Sequence, residues 1–151
     1  MRTRLTIAAV TLVLLAGVAA AWWFESSMPP SASPVASTST YRVRITRDGQ
    51  ELASFDLAQL QAIGMKTVVV QGGTEQGPSL LAVLERAGAS DFTTVTILGT
   101  GARDTGRIEL GVEDVGPDTV LDIAKRGTVK VAGPGIPYDM RVRDVTEIQV
   151  R

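Results

Sequence analysis

Tyr41-Arg42-Val43-Arg44-Ile45-Thr46-Arg47-Asp48-Gly49-Gln50-Glu51-Leu52-Ala53-Ser54-Phe55-Asp56-Leu57-Ala58-Gln59-Leu60 changes its hydrophobic period partway along. That change sets the fold class. Tyr41, Val43 and Ile45 alternate with Arg42, Arg44 and Thr46, the two-residue period of a half-exposed strand. Asp48-Gly49 is a two-residue turn of the primed type, so residues 50–55 return as the second strand of a hairpin. Asp56 then opens a short helix. Its carboxylate suits the backbone N–H groups of the first turn, and Gln59 stands at the third helical position, as a capping box requires. Phe55 and Leu60 occupy the two staple positions, and Gly64 is placed to end the helix in a left-handed cap.

The rest of the chain repeats this vocabulary. Residues 66–71, Lys-Thr-Val-Val-Val-Gln, read as a buried strand, and Gly72-Gly73-Thr74-Glu75-Gln76-Gly77-Pro78 as a loop. Residues 79–87 form a helix with Leu80, Val83, Leu84 and Ala87 on one face, Pro78 in its first turn and Gly88 at its end. A strand over 92–98 leads to a second glycine-bearing loop, Gly99 to Gly106, and a short strand over 107–110. Residues 119–124 and 128–131 read as strands around Lys125-Arg126-Gly127. Gly133-Pro134-Gly135-Ile136-Pro137 is a rigid loop, and residues 140–150 supply one or two closing strands. Many short strands with two or three short helices specify an α+β domain over residues 41–151, built on a mixed β-sheet. No internal repeat is present.

Upstream, Arg2 and Arg4 precede an uncharged apolar run over residues 5–24. About 20 helical residues rise roughly 30 Å, the thickness of the bilayer hydrocarbon. Residues 1–24 therefore read as a signal anchor, a single transmembrane helix with the lipid bilayer as its partner. The positive-inside rule puts the C-terminal domain on the extracytoplasmic side, periplasmic or extracellular. Trp22-Trp23-Phe24 fit an interfacial aromatic belt. The alternative is a cleaved signal and a secreted protein, because Ala19-Ala20-Ala21 offers a small-residue cleavage site. Residues 25–40, rich in Ser, Ala and Pro, read as a disordered linker.

Composition excludes several chemistries. The chain has no cysteine and no histidine. It therefore has no thiolate nucleophile, no Cys-ligated metal and no His-based triad. A formal charge of -1, spread singly along the chain, gives no basis for nucleic-acid binding. Cofactor binding is placed at Gly72 and Gly73 in the first glycine loop and at Arg103 and Arg107 flanking the second. Glycine lets backbone N–H groups approach an anion, and arginine grips a phosphate bidentately. Neither loop matches a P-loop or dinucleotide fingerprint, and plain turn geometry explains the glycines equally well. Glu113, Asp114 and Asp118 form a carboxylate cluster that suits a hard cation or a solvated turn. Asp104 and Asp139 are acid/base candidates, and Arg42 and Arg44 read as an anion patch or a solvated strand face.

Several stretches resemble the oxidoreductase molybdopterin-binding domain of sulfite-oxidase type. Phe55-Asp56-Leu57-Ala58-Gln59-Leu60 is similar to that family's Phe-Thr-Leu-Asp-Asp-Leu helix start. Gly77-Pro78-Ser79-Leu80-Leu81-Ala82-Val83-Leu84-Glu85-Arg86-Ala87-Gly88 is similar to its Gly-Val-Pro-Leu, Leu-Leu, Ala-Gly helix. Val142-Arg143-Asp144-Val145-Thr146-Glu147-Ile148-Gln149-Val150 is similar to its Val-Lys-x-Val-x-x-Ile-x-Val terminus. The resemblance implies that family's fold and, by inheritance, a pterin pocket with molybdopterin as the cofactor. The family's molybdenum-ligating cysteine falls where this chain has Val70-Gln71-Gly72-Gly73, and its phosphate-contacting histidines are missing. A soft thiolate is what that metal site uses. The expectation is thus a non-catalytic binding or interaction module with no bound cofactor. The alternative is an oxidoreductase or accessory subunit that binds molybdopterin without a cysteine ligand, docked on a membrane redox or transport partner.

Overall fold

A computed structural model describes residues 40–103 and 105–151. The expected transmembrane helix over 5–24, nearly all of the linker and the candidate Asp104 lie outside the described residues. Among the described residues, no helix is long and apolar enough to cross a membrane.

The opening hairpin forms as its pattern dictates. Strands β1 (Arg42–Arg47) and β2 (Gln50–Asp56) pair antiparallel across Asp48 and Gly49. Both turn residues have positive φ, 51° and 81°, as a type I′ turn demands. Val43 and Ile45 are fully buried while Arg42 and Arg44 face out. Arg44 pairs with Glu147 at 2.8 Å, so this is a solvated strand face rather than an anion patch.

Helix α1 (Leu57–Ile63) carries the expected capping box. The Gln59 N–H donates to Asp56 Oδ1 at 2.8 Å, and the Asp56 N–H donates to Gln59 Oε1 at 2.9 Å. Asp56→Ala removes the side-chain arm of the box, leaving the backbone N–H of residue 56 to donate to Gln59, and is expected to cost about 1 kcal/mol, measured by urea unfolding, with Asp56→Asn close to neutral. Gly64 departs from expectation. Its φ of 128° and ψ of 127° lie outside the left-handed helical region, and its N–H closes a tighter bond to the Gln61 carbonyl at 3.3 Å.

Strands β3 (Lys66–Val70) and β4 (Gly73–Gly77) form a separate two-stranded ribbon. Two expectations are corrected here. Residues 66–71 are not a buried strand, since Val69 is 79% exposed while only Val68 and Val70 are buried. The supposed loop from Gly72 to Pro78 is mostly strand, since Thr74, Glu75 and Gln76 find their ladder partners on β3. Helix α2 (Leu80–Arg86) follows, with the Ser79 hydroxyl accepting from the Ala82 N–H at 3.2 Å and Leu80, Val83 and Leu84 buried.

Strands β5 (Thr94–Gly101) and β6 (Arg107–Gly111) form a hairpin, then β7 (Val120–Ala124) and β8 (Thr128–Ala132) a second ribbon. A 3-10 turn over Tyr138–Met140, absent from the sequence expectation, precedes β9 (Val142–Val150). The main sheet has the order β2-β1-β9-β5-β6, with β1 and β9 parallel and the other neighbours antiparallel. The fold is thus α+β, with a mainly β core and two α-helices among the described residues.

The two ribbons join along β4 and β7. The Leu121 N–H donates to the Pro78 carbonyl at 2.9 Å, the Leu80 N–H to the Thr119 carbonyl at 2.7 Å, and the Gln76 N–H to Asp122 Oδ1 at 2.7 Å. Tyr41 ties the ribbons to the sheet: its hydroxyl donates to the Val145 carbonyl at 2.5 Å and accepts from the Val129 N–H at 3.1 Å. Burial, the largest cause, and the negative charge of Asp144 raise the pKa of that phenol, against the Val129 N–H bond and the Arg126 charge, which lower it.

Candidate functional site

The 3-10 turn and the strand after it carry Tyr138, Arg141 and Arg143. Arg141 and Arg143 are two residues apart in extended backbone, so they leave the chain on one side. Both guanidinium carbons approach the Tyr138 ring, at 5.1 and 5.8 Å from its centroid. That is within cation–π range. Opposite stands the β7–β8 ribbon with Arg126 in its turn and Lys130 on β8. Ala124, Arg126, Lys130, Tyr138, Arg141 and Arg143 together line a cavity of about 210 Å³. At roughly 30 Å³ per water, that space suits a phosphate-sized or short carboxylate group.

Each cation is held differently. Arg141 is 2% exposed; its Nη1 donates to Glu75 Oε1 at 3.1 Å and its Nη2 to the Gln71 carbonyl, while Nε is buried with no hydrogen-bond partner among the described residues. Lys130 lies 2.8 Å from Glu75 Oε2 and 3.6 Å from Asp122 Oδ2. Arg126 pairs with Asp144 at 2.5 Å and donates from Nε to Thr128 at 2.9 Å. Arg143 has no carboxylate partner among the described residues, and its guanidinium lies against the Tyr138 ring.

Asp144 sits at a backbone irregularity. Its φ of 48° is left-handed, and the β5–β9 register shifts between Leu98 and Thr100. Gly99 lies under this kink. A Cβ there would stand 2.3 Å from the Arg143 carbonyl oxygen, so only glycine lets β5 approach. Burial pushes the Asp144 pKa up, but hydrogen bonds from Thr128 and Thr100 and the charge of Arg126 outweigh it, leaving the carboxyl below its usual value. Asp144 is therefore ionised near neutral pH.

The four residues expected from the glycine loops are dispersed around this cavity rather than in its wall. Gly72 packs beneath Tyr138, with an ideal Cβ only 3.3 Å from the ring. Arg103 reaches the other side of the same turn: its Nε donates to Asp139 Oδ2 at 2.7 Å and its backbone N–H to the Asp139 carbonyl at 3.1 Å. Gly73 begins β4, and Arg107 stands out on β6, paired with Glu109 at 3.1 Å. Gly72 and Arg103 thus buttress the turn that bears Tyr138, while Gly73 and Arg107 do not meet it. Asp139, an acid/base candidate, is half-exposed and committed to Arg103. Glu113, Asp114 and Asp118 line a different shallow cavity, and Asp118 is taken by Lys66 at 2.6 Å. Among the described residues, no group of three or more acidic side chains is placed to hold a metal ion.

Sequence reading missed Arg126, Lys130, Tyr138, Arg141 and Arg143. The signal was there in part: an aromatic followed by two arginines at strand spacing, Tyr138-Asp139-Met140-Arg141-Val142-Arg143. A cleft of about 580 Å³ beside α1 and α2 is lined by Phe55, Ala62, Ile63 and their neighbours and brings together no set of like charges. No known protein-family profile matches this chain, and no curated protein matches it either.

Proposed function

We propose that this chain is a non-catalytic binding module that holds a small anionic group in the cavity lined by Arg126, Lys130, Tyr138, Arg141 and Arg143. The observation that carries it is the convergence of four cationic side chains on one cavity whose lining includes no carboxylate. Like charges gathered at a concave surface raise the local concentration of an anion. Arg143, free of a carboxylate among the described residues, is the residue that grips the ligand, and Tyr138 presents it.

The proposal extends to the setting. The scaffold is of the molybdopterin-domain kind, supported by the sequence likeness around 55–60, 77–88 and 142–150. It is tethered outside a membrane by residues 5–24, supported by the apolar run and the arginines before it. The residues present do not fit a molybdenum centre. Where the thiolate would stand, the Gln71 carbonyl is bonded to Arg141 and Gly72 is covered by Tyr138. The cationic cavity suits an oxyanion, and no redox step is derived for it.

The test is a titration of the full chain with inorganic phosphate against chloride, followed by chemical-shift changes at Gly72, Gly73 and the Tyr138 ring. Saturable shifts are expected, with Arg143→Gln weakening binding about tenfold or more, the loss of one charge-assisted contact. Absence of saturable binding, or an unchanged affinity in Arg143→Gln, overturns the proposal. One observation favours a second role, as an accessory subunit on a membrane redox or transport partner. Strand β3 pairs only with β4 among the described residues and exposes Val69 at 79%, and Met65, just before the strand, is 43% exposed. Capture of a single integral-membrane protein, lost in Val69→Lys, would establish that role.

A further inference from the structure

We infer that the cavity selects singly charged oxyanions, such as carboxylates and phosphodiesters, over dianionic phosphomonoesters. This rests on the proposed anion site and concerns its charge selectivity.

The basis is the pairing around the cavity. Four cations line it: Arg126, Lys130, Arg141 and Arg143. Three carboxylates hold them among the described residues. Asp144 holds Arg126, Glu75 bridges Lys130 and Arg141, and Asp122 adds to Lys130. One positive charge is left over, and it sits on Arg143. The compensating acids are not loosely placed. The Glu75 and Asp122 side chains are only 11% and 13% exposed, and Asp122 also accepts from the Gln76 N–H. An anion with one charge meets Arg143 without disturbing these pairs. A second charge finds every other cation already matched. It must pull a cation away from the acid that holds it behind the wall, and the weak screening around those part-buried pairs makes that separation costly.

Asp144 offers a way to change the count by one without rebuilding the wall. Its φ of 48° is left-handed, a conformation that asparagine tolerates as well as aspartate. Asp144→Asn keeps the shape, retains an acceptor for Thr100 and frees the charge of Arg126.

The experiment titrates the full chain at pH 8 with acetate, dimethyl phosphate and methyl phosphate, the last mostly dianionic there. Acetate and dimethyl phosphate are expected to bind at least as tightly as methyl phosphate. Asp144→Asn is expected to shift the ratio toward methyl phosphate by about tenfold, the size of one added charge-assisted contact. If the native chain binds methyl phosphate tenfold tighter than dimethyl phosphate, or Asp144→Asn leaves the ratio unchanged, the charge selectivity is refuted and anion binding stands. If none of the three probes binds, the anion site itself is refuted.

Discussion

Arg141→Ala is expected to destabilise the domain by about 3 kcal/mol, the lower end of the range for breaking a buried ion pair. Arg141 is 2% exposed and serves three partners at once. It bonds to Glu75 at 3.1 Å, it satisfies the Gln71 carbonyl, and it lies 5.1 Å from the Tyr138 ring centroid. Truncation leaves that carbonyl unpaired and Glu75 with one counter-ion, Lys130 at 2.8 Å. Retention of Lys130 is why the lower end applies. The loss also frees the 3-10 turn from the Gln71-Gly72 corner, so anion binding should fall with stability. Urea unfolding of Arg141→Ala, Glu75→Gln and the double variant checks this. The double variant should be more stable than the sum of the two losses by roughly 1–3 kcal/mol, as residues in one network behave. Strict additivity would show that Arg141 acts through packing alone.

The parts of this fold that were legible in the sequence are those decided locally. The Asp48-Gly49 turn and the Asp56/Gln59 box each rest on residues no more than three apart, and the structure reproduces them; the helix expected over 79–87 also forms, but over Leu80–Arg86, with Ser79 as its cap rather than inside it. Strand β4 was illegible because Thr74-Glu75-Gln76 has the composition of a loop. Its strand state comes from β3 on one side and β7 on the other, and Glu75 is drawn inward by Arg141 and Lys130. The cavity was illegible for the same reason. Its cations come from the β7–β8 turn, β8, the residue after the 3-10 turn and β9, which only the tertiary fold brings together. A buried arginine runs against the ordinary preference of that residue, so its partners had to be seen before its role could be assigned. The glycine loops drew notice for their freedom to bind, yet Gly72 is needed for contact with Tyr138 and Gly99 for contact with β9.

Gly77 makes the same point with the larger expected effect on the architecture. It ends β4 where the first ribbon meets β7, and a Cβ built there stands 1.9 Å from the Leu121 carbonyl oxygen and 2.6 Å from its carbon. Both are backbone atoms, so no rotamer change relieves the overlap. The whole of β7 must withdraw. Around it, the Leu121 N–H to Pro78 carbonyl bond at 2.9 Å and the Gln76 N–H to Asp122 bond at 2.7 Å hold the two ribbons together. Withdrawal stretches both, and it also moves Asp122 and Lys130 away from Glu75. Gly77→Ala is therefore expected to cost about 3 kcal/mol, at the upper end for a single overpacked methyl. That corresponds to a Tm lower by roughly 10 °C or more for a domain of this size. Because the β7–β8 ribbon carries Arg126 and Lys130, the variant should also lose anion binding at temperatures where it remains folded. Gly135→Ala is the control: a Cβ there meets nothing within 4 Å, so its Tm should match the native chain. A Gly77→Ala protein with native Tm would mean that β4 and β7 do not approach as closely as the backbone bonds between them require.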